Sequence, residues 1–195
     1  MRYYRLIEDA EIEGRWHLGN VRAGDATGLT LDEGVEFSSE RRLCVGLASP
    51  GGWPLEFTVT SLGVTIVRDR LKRVMAAIAR LDVQWIPAWI DGQRIQPGGT
   101  TEHAALNPLR LIQCLDEQLS EGFRWTEGDH RKDLAGNYRQ VTRLVLDESR
   151  IPDDTHLFRV KEWTAAVIVS EEMKRAMETV GCLGARFQAI AALAR

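Results

Sequence analysis

Residues 157–187 read LFRVKEWTAAVIVSEEMKRAMETVGCLGARF, and this stretch decides the fold class. The apolar runs at 157–160 and 165–169 predict two consecutive strands. Ser170 then predicts the N-cap of a helix, because its hydroxyl can accept a hydrogen bond from a first-turn N–H group. Gly181 is placed to end that helix, since glycine tolerates the left-handed backbone found just after helices. Two strands followed directly by a helix indicate a mixed fold without regular alternation.

A second helix is predicted upstream, where apolar residues recur at spacings of 4, 3, 4 and 3. These residues are Val67, Leu71, Val74, Ile78 and Leu81. Residues 83–90 then predict a buried strand, which Asp91-Gly92 would end in a turn. Pro87 lies inside this strand and lacks an N–H group, so we expect an edge strand or a bulge.

Further short runs fill the rest of the chain. They predict strands at 3–7, 15–18, 43–47, 55–59, 104–106 and 141–146. Residues 109–119 fit either a short helix or an irregular connection, after a break at Asn107-Pro108. Residues 120–139 are polar and predict a long loop, and the apolar segment 187–193 is expected to dock on the core.

We therefore expect an α+β fold, with a mixed or antiparallel sheet packed by two or three helices. Frequent glycines make residues 1–60 a β-rich region, and residues 61–195 would form the α+β domain. No linker-like tract separates the two parts.

Composition excludes several classes of protein. The chain has 195 residues, is 44% hydrophobic and carries a net charge of −3, which gives no general attraction to nucleic acid. No apolar run approaches the ~20 residues that cross a bilayer, and the N-terminus shows no signal peptide. The three cysteines, Cys44, Cys114 and Cys182, are too few and too scattered for a disulfide framework. We expect a cytoplasmic protein with no membrane contact.

Signatures of catalysis and of cofactor binding are missing from the sequence. The four histidines and the cysteines show no metal-ligand spacing, and neither a nucleophile elbow nor a phosphate loop occurs. Cys114 and Cys182 lie among aliphatic residues and are better interpreted as buried thiols than as nucleophiles. The carboxylates of Asp153 and Asp154 fit turn chemistry. We expect no catalytic residue, no metal and no cofactor.

Charge is uneven along the chain. Residues 1–60 hold 10 acidic and 6 basic residues, a balance of −4. The acids form two runs, namely Glu8, Asp9, Glu11 and Glu13, and Asp32, Glu33, Glu36 and Glu40. Such runs are commonly solvated faces, but they can also dock a basic partner, since complementary charge speeds association and selects the partner.

Tryptophan is frequent, with six residues in the chain. Trp53 and Trp125 lie in loop-like contexts and are the candidates for exposed binding anchors, because tryptophan is enriched at interface hot spots. Residues 123–143 mix aromatic and basic side chains, a composition also found in single-strand nucleic-acid platforms. Interspersed acids favour a solvated or protein-binding loop, so we expect no direct nucleic-acid contact.

The order of several motifs resembles a known family. The motifs are a Phe158-Arg159 strand, the Val169-Ser170 helix start and the Gly-Cys-x-Gly-x-x-Phe block that runs from Gly181 to Phe187. Together with the predicted helix, strand 83–90 and the block at 106–120, they resemble bacterial immunity-protein family eleven, of the myxobacterial type. The resemblance spans residues 61–187, and residues 1–60 match no pattern.

The resemblance implies a non-enzymatic antidote that binds a cognate polymorphic toxin, commonly a nuclease delivered by contact-dependent or type VI-like secretion. Its toxin-binding residues would then be Glu8, Asp9, Glu11, Glu13, Asp32, Glu33, Glu36, Trp53 and Trp125. The alternative is a small-molecule binder or enzyme, with His17 or His103 in a pocket between residues 1–60 and the C-terminal core. A structural or oligomerising role, including a homodimer, is left open.

Overall fold

Two β-sheets share a pair of α-helices in the computed structural model, which describes residues 1–24, 26–27, 31–37, 42–91 and 102–193. The strands are β1 (Tyr3–Glu8), β2 (Leu18–Ala23), β3 (Ala26–Thr27), β4 (Leu43–Leu47), β5 (Phe57–Val59), β6 (Thr65–Arg68), β7 (Val83–Ile90), β8 (His103–Pro108), β9 (Leu111–Ile112), β10 (Glu121–Arg124), β11 (Tyr138–Arg143), β12 (Val145–Asp147), β13 (Leu157–Val160), β14 (Trp163–Ser170), β15 (Ala185–Ala189) and β16 (Ala191–Leu193). The α-helices are α1 (Asp69–Ala79) and α2 (Glu171–Thr179), and three 3₁₀ turns lie at Arg80–Asp82, Lys132–Leu134 and Glu148–Arg150.

The larger sheet has seven strands in the order β3-β2-β4-β7-β8-β6-β5, and the smaller has five in the order β15-β1-β14-β13-β9. Most neighbours are antiparallel, while β4 pairs with β7 and β13 with β9 in parallel. A hairpin of β10 and β11 and a parallel pair of β12 and β16 complete the strands. The α+β class is therefore confirmed, and β-structure predominates.

Residues 1–60 contribute strands to both sheets. β1 lies between β14 and β15 in the smaller sheet, where Tyr4 is opposite Val169 on one side and Ala189 on the other. β2, β4 and β5 belong to the larger sheet. The division of the chain at residue 60 stays a prediction, but strands from its two sides are hydrogen-bonded neighbours.

The helices pack where the two sheets meet. Leu71 and Met75 of α1 lie in one apolar cluster with Met173 and Met177 of α2, together with side chains from both sheets. All four of these side chains are fully buried. Each helix thus buries one face, and the apolar cluster between the two faces also includes side chains of both sheets.

The predicted limits of α1 were wrong at both ends. Arg68 has an extended backbone and precedes the helix, so Val67 is a buried residue of β6. Arg80 leaves the helical region with φ of 48°, which places Leu81 outside the helix with 92% of its surface exposed. The buried face is instead formed by Leu71, Met75 and Ala79, one residue per turn.

The prediction of an edge strand or bulge at Pro87 was also wrong. β7 is an inner strand between β4 and β8, and its register with β8 is regular throughout. The pairing with β4 begins only at Ala88. Pro87 therefore lies just outside that second ladder, where a missing N–H group is tolerated.

Other boundaries shift with tertiary pairing. The predicted loop 120–139 contains β10, which pairs with β11 as a hairpin. The predicted strand 15–18 instead begins at Leu18 as β2. Asn107-Pro108 belongs to β8 rather than ending it, and residues 109–119 form the irregular alternative with the short strand β9.

The C-terminal predictions are confirmed. The Ser170 hydroxyl accepts a hydrogen bond from Met173 N at 3.2 Å and caps α2. Gly181 follows the helix with φ of 66°, and β15 and β16 dock the final segment on β1 and β12. Gly92 and Glu40 lie outside the described residues. Among the described helices, none is long and apolar enough to cross a membrane.

Candidate functional site

An acidic turn between β1 and β2 holds an exposed tryptophan. Trp53 N donates to Gly14 O at 2.9 Å, and Trp53 O accepts from Trp16 N at 3.1 Å. The Trp53 indole N–H also donates to Glu13 O at 3.2 Å, yet 43% of the residue stays exposed. Three acids of the first run, Asp9, Glu11 and Glu13, belong to the turn to which Trp53 is hydrogen-bonded. We call these three acids and Trp53 the acidic turn surface.

The acids of this surface differ in how they are held. Asp9 N donates to Gly184 O at 2.8 Å, which ties the turn to the loop before β15. Asp9 Oδ1 accepts from Glu11 N at 3.2 Å. Glu11 pairs with Arg186 at 3.0 Å, although 80% of the glutamate and 56% of the arginine side chain are exposed. An ion pair this exposed contributes little to stability and can exchange partners.

Glu8, the remaining acid of this run, points into the fold. Its carboxylate lies 2.7 Å from Arg15 Nη1, and its side chain is only 18% exposed. The same oxygen accepts from Val59 N at 3.0 Å. Glu8 therefore connects β1 to β5, and its predicted toxin contact stays a prediction.

The second acidic run lies on a different element. Asp32, Glu33 and Glu36 belong to the loop 31–37, in which Asp32 is half-buried and the two glutamates are exposed. The pKa of Arg131 is raised mainly by its hydrogen bond with Asp133, with smaller contributions from Asp32 and Glu33. Asp32 and Glu33 therefore interact electrostatically with Arg131 of the β10–β11 connection, whereas the first acidic run lies between β1 and β2.

Buried and half-buried polar side chains fix the loop 31–37. Asn107 Nδ2 donates to Val35 O at 2.9 Å, and Gln84 Oε1 accepts from Phe37 N at 2.8 Å. Arg159, of the Phe-Arg motif, donates from Nη2 to Leu31 O at 2.9 Å. Burial lowers the pKa of Arg159 to about 10, so it stays charged at neutral pH.

The hairpin carries the predicted anchor Trp125 and one that the sequence analysis did not single out. Trp125 is half-buried, because His130 meets its ring edge-on at 5.3 Å and Arg139 lies 5.5 Å from its centroid. Phe123, two residues earlier, is 59% exposed. All four residues of β10 are exposed, so residues 121–124 held no apolar–polar alternation that could have identified Phe123.

Two of the cysteines are buried or half-buried thiols, and Asp147 makes a local turn contact. Burial raises the pKa of Cys114 and of Cys182 to about 12, so both thiols are protonated at neutral pH. Asp147 Oδ1 accepts from Ser149 N at 3.1 Å, the local turn bond expected of aspartate. Within the described parts of the chain, no group of three His, Cys, Asp or Glu side chains could hold a metal.

His17 and His103, the histidines of the alternative interpretation, do not line the three grooves described below. His103 is buried 5.5 Å from the ring of Trp16, and burial lowers its pKa to about 4. His17 is exposed. The grooves are lined instead by the end of α1, by the region around Arg5 and by the N-terminal residues.

Comparison with known proteins identifies a family, which the geometry of the described surface does not. A sequence model described as Immunity protein family (Imm11) matches residues 6–192. No curated protein matches the chain. The match confirms the resemblance drawn from the C-terminal motifs and extends it over most of residues 1–60. The chain belongs to the Immunity protein family (Imm11).

Proposed function

We propose that the chain is a non-enzymatic antidote that binds a cognate secreted toxin in the cytoplasm and covers its active surface. Membership of the immunity family supports this role. We further propose that the toxin is a nuclease delivered by contact-dependent or type VI-like secretion. A nuclease presents positive charge to bind phosphate, so an acidic, aromatic surface would be its natural complement.

The acidic turn surface is the contact region that we favour, and the fixed position of Trp53 is the observation that carries it. Two backbone hydrogen bonds and one indole hydrogen bond hold this residue while its ring stays open to solvent. A preorganised aromatic anchor loses little conformational entropy on binding. The surrounding acids would steer a basic toxin and exclude wrong partners.

The loop 31–37 and Trp125 form a second, less favoured contact region. Arg131 lies close to Asp32 and Glu33 and partly offsets their charge. Trp125 offers less free surface than Trp53, because Arg139 and His130 cover part of its ring. Asp32, Glu33, Glu36 and Trp125 are therefore proposed as a rim that the toxin reaches after the acidic turn.

The test is binding of the purified chain to the toxin domain encoded beside its gene, by calorimetry and by rescue of growth. We expect a Kd of about 10 nM or tighter. Trp53→Ala, and Glu11→Lys with Glu13→Lys, should each weaken binding by roughly tenfold or more. Leu81→Ala and Glu172→Lys, which are exposed and belong to neither proposed contact region, are the matched controls and should change binding less than threefold. Thermal melting checks that each variant is folded.

Each result decides a separate part of the proposal. Absence of both binding and rescue would overturn the antidote function. Full-strength binding by the Trp53 and acid-reversal variants would keep the function and reject the acidic turn as the contact. Loss of binding only on reversal of Asp32, Glu33 and Glu36 would move the contact to the loop 31–37. The mass of the free chain in solution tests the homodimer that the sequence left open.

A further inference from the structure

Arg5 is a half-buried cation with no acidic partner among the residues that the structure describes. Its guanidinium carbon lies 4.4 Å from the centroid of the Trp163 ring, and its Nε is buried without a hydrogen-bond acceptor. Burial lowers the pKa of Arg5, and no nearby carboxylate raises it again. Stacking on an aromatic ring offsets only part of the cost of burying a charge. Such a cation would be better satisfied by an anion from outside the chain.

The position of Arg5 in an inner strand accounts for its partial burial. β1 is an inner strand, in which Arg5 is opposite Ile168 of β14 and Gln188 of β15. Arg5 lies on the same face of β1 as Tyr3, which packs in the apolar cluster beneath β11. The Nε atom is therefore buried between neighbouring strands, while the half-buried side chain lines the cavity beside it.

A cavity of about 220 Å³ opens beside this cation. Besides Arg5, its walls include Trp163, Thr142, Arg143 and Gln188. The indole N–H of Trp163 is buried and also has no acceptor among the described residues. Arg143 lies 3.6 Å from Glu121 in an exposed ion pair, so Arg5 is the one cation of this wall without an acidic partner in the described structure.

We propose that this cavity is a binding site for a carboxylate, held by Arg5 and by the neutral donors around it. A guanidinium group matches the planar, two-oxygen geometry of a carboxylate. One uncompensated charge suits a monoanion better than a doubly charged phosphate. The site lies between the smaller sheet and the β10–β11 hairpin and is separate from the acidic turn surface.

The test follows the Arg5 side chain in the wild-type protein by NMR. Sodium acetate is titrated against the Nε–Hε resonance of Arg5, with sodium chloride at equal ionic strength as the reference. The resonance is assigned by its absence from the Arg5→Met spectrum, or from that of Arg5→Lys if the first variant does not fold. We expect a saturable shift with acetate and none with chloride.

Two variants then distinguish acetate binding at this site from nonspecific attraction to positive charge. Arg5→Met should weaken acetate binding at least tenfold, while its melting temperature stays equal to or above that of the wild type. Arg143→Met is the matched control in the same cavity and should change acetate affinity less than threefold. An Arg5 resonance that responds equally to acetate and chloride would overturn the proposal, as would tighter binding of inorganic phosphate than of acetate.

A further experiment, binding of Arg5→Met to the toxin domain, identifies the source of the carboxylate. This experiment rests on the proposed function. If Arg5→Met also weakens toxin binding tenfold, an acidic side chain of the toxin occupies the site. If toxin binding is unchanged while acetate binding is lost, the ligand is a free small carboxylate. Either outcome supports the site, and the acetate titration stands even if the antidote function fails.

Discussion

At the scale of single residues, buried polar side chains organise the loops of this protein. Asn107 and Arg159 hold the loop 31–37 by hydrogen bonds to its backbone. His103 is different, because its Nε2 is buried without a partner in the described structure and its pKa is lowered to about 4. A histidine kept neutral by burial makes the stability of the fold depend on pH.

The pH dependence follows from the sign of this shift. The unfolded chain binds a proton at His103 near its ordinary pKa of 6.5, whereas the folded chain binds it only near 4. Stability contributed by neutral His103 is therefore complete above pH 6.5 and is lost as the pH falls towards 4. Between pH 7 and pH 5 the free energy of unfolding should fall by about 2 kcal/mol because of this residue.

Urea denaturation at the two pH values measures the effect. His103→Phe, which keeps an aromatic ring beside Trp16, should remove this component of the pH dependence. His17 is exposed and supplies the control, since His17→Gln should leave the pH dependence of stability as in the wild type. If the free energy of unfolding of His103→Phe falls as much between pH 7 and pH 5 as that of the wild type, other groups cause the loss of stability at pH 5.

At the scale of elements, the residues at which α1 begins and ends decide which of its apolar side chains are buried. Five apolar residues at helical spacing predicted one buried stripe, but β6 takes the first of them and the 3₁₀ turn takes the last. The remaining turns bury Leu71, Met75 and Ala79 against α2. The periodicity correctly predicted a helix, while its limits depended on where the neighbouring strands pair.

Two truncations distinguish the observed face from the predicted one. Met75→Ala should destabilise the protein by about 3 kcal/mol, because it leaves a cavity in the shared apolar cluster. Leu81→Ala should change the free energy of unfolding by no more than about 0.5 kcal/mol, because Leu81 contacts mainly solvent. Equal losses in the two variants, measured by chemical denaturation, would support the face predicted from spacing instead.

At the scale of the whole molecule, one glycine joins the two sheets. Gly184 precedes β15 of the smaller sheet, has φ of 99° and lies against Phe57 of β5 in the larger sheet. A Cβ atom placed on it would clash with Phe57 O. Leu183 O next to it accepts from Phe57 N at 3.0 Å. The Gly-Cys-x-Gly block is therefore one of the places where the two sheets are in contact.

Gly184→Ala tests this junction against a glycine of similar conformation. Gly136 has φ of 90° and nothing within 4 Å of an added Cβ, so Gly136→Ala should cost only the backbone strain of about 1 to 2 kcal/mol. Gly184→Ala should cost about 2 kcal/mol more, since one sheet must shift away from the other. Similar melting temperatures for the two variants would argue against a tight contact between the sheets.

The sequence by itself determined the local elements and the family. Apolar periodicity, the Ser170 cap and the Gly181 stop depend on neighbours along the chain, so β13, β14 and α2 were predicted correctly. The order of motifs was enough to indicate the immunity family, because it is a property of the sequence alone.

Only the tertiary structure decided how these elements combine. It placed β7 inside a sheet, turned residues 121–143 into a hairpin, gave β1 partners from the C-terminal end of the chain and directed Glu8 inward. The unpaired charge of Arg5 and the exposure of Trp53 likewise depend on residues far apart in sequence. Strand pairing and burial are set by such distant contacts, which no local pattern records.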